Sequence, residues 1–87
     1  MFLARVVGKV VATVKDPSLE GKTILVVQPI DKSGKDQGQK ILALDSVGAG
    51  AGETVYCCRG REASYAWYPA EVPTETTIVA IVDSVHV

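Results

Sequence analysis

Four groups of residues in this chain have types and spacings that could do chemistry. They are the tract Gly48-Ala49-Gly50-Ala51-Gly52, the carboxylates Asp45 and Glu53 on either side of it, the adjacent thiols Cys57 and Cys58, and His86. Alternate glycines could cradle a phosphate. A dinucleotide-binding fingerprint, however, needs a helix opening directly after the glycines inside a βαβ unit, and the continuation Glu53-Thr54-Val55-Tyr56 reads as a strand. A P-loop would close on Gly-Lys-Ser or Gly-Lys-Thr, whereas Gly52 is followed by Glu53. Phosphate chemistry is set aside on these grounds. Two readings of the tract stay open: a tight turn that serves only the fold, or a bare backbone that a second protein surface approaches closely.

The other groups give no catalytic constellation. Asp45 and Glu53 could pair, but acid–base work needs a pocket and one perturbed group. An Asp beside a turn more commonly accepts hydrogen bonds from the loop backbone, and Glu53 either does the same or points to solvent. His86 stands one residue from the last position with no partner visible. Adjacent strand residues project to opposite faces, so Cys57 and Cys58 do not readily share a metal, and four-ligand zinc spacing is absent. One buried thiol and one at an interface is expected, both reduced in a cytosolic setting; a vicinal disulfide or a cluster shared by symmetry-related subunits is the alternative. The chain is read as a non-enzyme, with no cofactor and no metal site.

These groups must be positioned by a small, apolar, mostly β domain. Eighty-seven residues make one domain, residues 1–87, large enough for a modest core but too small for a cleft between two lobes. With 47% hydrophobic residues and only 6% aromatics, the chain is apolar for its length, and the surplus is expected in subunit interfaces. Arg5, Gly8 and Lys9 interrupt the first apolar segment, so neither a membrane span of about eighteen residues nor a signal-peptide core is expected, and a cytosolic protein is the default. The net charge of −1 argues against an electrostatic nucleic-acid binder. The halves differ: residues 1–44 hold seven basic and four acidic groups, net +3, and residues 45–87 hold two and six, net −4. That asymmetry fits head-to-tail pairing of neighbouring subunits, or simply mixes on one folded surface.

Five strands are expected. The first runs over Leu3 to Val14, with Ala4, Val6, Val10, Ala12 and Val14 on one face and Gly8 at a bend or bulge. Lys22 to Gln28 forms the second, ended by Pro29, and Asp31 to Gln39 an exposed hairpin connection. Ile41 to Asp45 leads into the glycine loop, and Glu53 to Arg59 follows it. Gly60 to Ala66 could form one or two helical turns. Thr76 to Val87 closes the chain, its run Ile78-Val79-Ala80-Ile81-Val82 apolar on both faces and so covered on both sides, the second by another subunit.

The combination Ala4-x-Val6-x-Gly8-x-Val10, Leu19-x-Gly21-Lys22-x-x-Leu25, Asp45-x-Val47-Gly48-Ala49-Gly50-x-Gly52-Glu53-x-Val55, Arg59-Gly60 and Ala80-Ile81-Val82-Asp83 resembles the EutN/CcmL family of bacterial microcompartment vertex proteins. The match runs from the first residues to near the last, and its middle segment is the most specific part. The resemblance implies a five-stranded OB-like β-barrel, here with one short helix, assembled as a homopentamer that caps the vertices of a polyhedral protein shell. Its expected partners are further copies of itself and hexameric shell proteins, in the bacterial cytoplasm, with no nucleic acid and no membrane. Gly48, Ala49, Gly50, Ala51, Gly52 and Glu53, together with Ile78, Val79, Ala80, Ile81, Val82 and Asp83, are then expected at the subunit interface or pore, and Arg59 and Arg61 at rim contacts.

OB-type barrels also bind single-stranded nucleic acid, which makes that the competing class, beside a small ligand. Such sites stack bases on aromatics of the middle strands, and Thr23 to Gln28 and Ile41 to Leu44 contain none. Tyr65, Trp67 and Tyr68 cluster instead in the irregular segment before the last strand.

Overall fold

The computed structural model describes residues 1–11, 21–60 and 75–85. Five strands account for most of them: β1 (Phe2–Val10), β2 (Thr23–Pro29), β3 (Ile41–Asp45), β4 (Thr54–Arg59) and β5 (Thr76–Ile81). They close into a barrel in the order β1-β2-β3-β5-β4, antiparallel throughout except for a short parallel contact of β3 with β5. This is the five-stranded, OB-like barrel expected. The helical turn expected after Gly60 falls on residues outside those described, as does Arg61.

Alternation explains why these segments pair as they do. Ala4, Val6, Leu25, Val27, Ala43, Val55, Cys57 and Ile78 point inward from all five strands and form one continuous core. Filling so narrow a barrel takes mostly β-branched and small side chains, which suit a half-buried pleated surface. Gly8 marks the bulge expected of it, since the β1–β2 register slips by one residue between Val6 and Gly8. The bulge lets one long strand pair with β4 through Phe2–Arg5 and with β2 through Ala4–Val10.

The strand ends depart from expectation by more than one residue at two places, and elsewhere by at most one, Pro29 being included in β2. β1 stops at Val10, and β5 stops at Ile81 instead of running to Val87. After Ile81, one more backbone bond, from Val82 N to Thr54 O at 2.8 Å, ends the pairing with β4, whose own first residue is Thr54. Among the described residues no opposing strand is left to continue β5. Between β2 and β3 the expected hairpin connection is held by its own side chains. The buried amide of Gln28 donates to Pro29 O and Gly38 O at 2.9 and 3.1 Å, and Asp31 Oδ1 accepts from Ser33 N, Ser33 Oγ and Lys35 N.

Candidate functional site

The glycine tract is the connection from β3 to β4, and the two flanking carboxylates build it. Asp45 Oδ1 accepts from Val47 N and Gly48 N at 3.0 and 3.1 Å, and Oδ2 accepts from Ala49 N at 2.9 Å. Glu53 Oε1 accepts from Gly50 N, and Glu53 N donates back to Gly50 O. The Asp-x-Val-Gly-Ala-Gly-x-Gly-Glu segment is therefore a loop whose ends are tied by its own acids, as an Asp beside a turn suggests. Gly48 and Gly52 have φ of +77° and +85°, where a side chain would be strained.

The close approach made within the protomer is to the chain's own first strand. Gly52 N donates to Val6 O at 2.8 Å and Val6 N to Glu53 O at 2.9 Å, next to the bulge. Ala49 packs onto the core, while Gly48, Gly50, Ala51 and Gly52 stay exposed. A Cβ on Gly50 would sit 3.3 Å from Glu53 Oε1, so the glycine makes room for that carboxylate. Ser46 adds a bond from its hydroxyl to Ile78 O, pinning the loop's start to β5 across the short parallel seam.

The last strand divides along its length. Ile78 is fully buried in the barrel core, so it fills the protomer and offers nothing for a neighbouring subunit to touch. This corrects its place among the interface residues. Val79, Ala80 and Val82 are half-buried, and Ile81 and Asp83 are exposed. The cause is a register slip between β4 and β5, in which Tyr56 faces Ala80 but Cys57 faces Ile78, leaving Val79 as the extra residue. The thiols also differ from expectation. Cys57 lies in the core and Cys58 is buried in the protomer too, so neither stands at a surface. Burial, reinforced by the neighbouring Cys58, pushes the Cys57 thiol up to about 12 against the weaker pull of Arg59. Among the described residues no group of three or more His, Cys, Asp or Glu gathers to hold a metal ion.

Arg59, expected at the rim, lies with its guanidinium 4.4 Å above the Phe2 ring, a cation–π contact at the end of β4. It also stands at the lip of a feature that the sequence reading missed. A groove of about 600 Å³ runs over the outside of β2 and β3, floored by Ile24, Val26, Leu42 and Leu44 and edged by Lys40, Arg59 and Glu75. Val26 pairs with Leu42 and Ile24 with Leu44, so two apolar rows lie on the outer face of this seam. Leu42 is 58% exposed. The signal was present in the run Ile24-Leu25-Val26-Val27, apolar at every position, which is the same pattern that drew attention to β5.

Comparison with known proteins places this geometry. The family model described as ethanolamine utilisation protein EutN/carboxysome matches residues 1–83. A carboxysome shell vertex protein of Synechococcus elongatus is 41% identical over all of this chain and 88% of its own length. A microcompartment shell vertex protein, EutN, of Salmonella typhimurium is 39% identical over 98% of this chain and 86% of its own. Among solved structures, a pentameric microcompartment shell protein of Rhodospirillum rubrum superposes with a TM-score of 0.89 at 34% identity, covering 100% of this chain and 99% of that one. An ethanolamine utilisation protein, EutN, superposes at 0.93 and 37% identity over 100% and 91%. A match over nearly the whole chain, in sequence and in fold, means that this chain belongs to the EutN/CcmL family.

Proposed function

We propose that this chain is a structural shell protein that forms homopentamers at the vertices of a polyhedral bacterial microcompartment, among hexameric shell proteins in the bacterial cytoplasm. The observation that carries the reading is the near end-to-end match to shell vertex proteins on a barrel whose described residues leave an apolar stretch of the outer face exposed. Hexameric tiles make a flat sheet, and a sheet closes only where fivefold units replace sixfold ones. A ring of five supplies that curvature through a repeated interface whose rotation closes. The role calls for rigidity and shape and for no reaction. The loop acids fit it: Asp45 and Glu53 spend their oxygens on loop backbone.

The nucleic-acid reading finds no support in the barrel, whose β2 and β3 carry no aromatic residue for a base to stack on. Native mass spectrometry near neutral pH tests the proposal. Five chains of 9.2 kDa give an assembly of about 46 kDa, and a monomer over a wide concentration range would overturn it. Co-expression with a hexameric shell protein then tests the vertex role, with closed polyhedral particles expected and flat sheets or tubes counting against it.

A further inference from the structure

We draw no further inference here: the strongest candidate, the apolar groove over the outside of β2 and β3, carries nothing, because nothing in the structure shows what covers it and a neighbouring copy in the ring would restate an established property of the family.

Discussion

The inner and outer faces of this barrel are made from the same short strands and nearly the same residue types, yet among the described residues only one face is filled. Inside, Val6, Val27, Val55, Cys57 and Ile78 are buried to within about 1% of completely, and each contacts its neighbours around the closed sheet. Outside, Leu42 and Tyr56 keep 58% and 36% of their surface open. An interior that is full and an exterior that is apolar but bare teach different things. The first fixes the protomer's fold, and the second supplies surface that an assembly can bury.

The sharpest way to break this comparison is to shorten one side chain on each face. Ile78→Ala opens a cavity in a core with no slack and should cost about 2–5 kcal/mol in denaturant unfolding. Leu42→Ala should change the stability of the dissociated protomer by less than about 0.5 kcal/mol, and lower only the part that grows with protein concentration. Equal costs for the two at a concentration where the assembly is dissociated would mean that the outer face is part of the protomer's own core after all.

How much of this was legible in the sequence follows from where alternation holds. β3 was read with its observed ends, and Gly8 as a bulge, because a glycine inside a β-rich run has few other reasons to be there. The Asp45 loop was legible because Asp beside a glycine turn has a local chemistry that does not depend on the rest of the fold. Ile78 was misplaced for a different reason. The slip at Val79 shifts the inward and outward positions of β5 by one, and no feature of Ile78-Val79-Ala80-Ile81-Val82 reports it. The groove was missed because a run such as Ile24-Leu25-Val26-Val27 shows that both faces are apolar but not which strand lies beside which. Only the barrel order brings Leu42 against Val26.

Two further predictions sharpen the inner side of the comparison and the loop that closes it. The folded state holds the Cys57 proton more tightly than an unfolded chain does, at about 12 against an ordinary 9.0. Its contribution is therefore complete below pH 9 and is lost as pH rises from 9 towards 12. Stability should fall over that window in wild type and less in Cys57→Ala compared with its own value at pH 8; parallel curves would show that other groups govern the alkaline limb. Asp45→Ala removes the acceptor of three loop N–H groups and should cost about 1–2 kcal/mol. Asp45→Asn keeps an oxygen where Oδ1 accepts two of the three bonds and should recover part of the loss, which a purely electrostatic role for the carboxylate would not allow.

The smallest effects belong to the polar outer surface, where the hairpin between β2 and β3 is tied by Asp31 and by an ion pair of Arg5 with Asp36 at 2.9 Å. Both partners of that pair are substantially exposed, and pairs of this kind contribute about 0–1 kcal/mol. Arg5→Ala should therefore change the unfolding free energy by less than about 1 kcal/mol and should become harder to distinguish from wild type as salt is raised. Asp31 is held below the ordinary carboxylate value of 3.8 by the Ser33 hydroxyl and then by the Lys35 N–H, outweighing a small desolvation that pulls the other way. A depressed carboxylate stabilises at pH above its ordinary value and stops doing so as pH falls through the folded one. Amide exchange at Ser33 and Lys35 should accordingly quicken, relative to the Val27 amide in the core, as pH drops below about 4. The hairpin would then loosen while the barrel stays closed. If Val27 loosens in step with Ser33, the hairpin is part of the same cooperative unit as the core, and the separation between a full inside and an adaptable outside does not extend to this corner of the molecule.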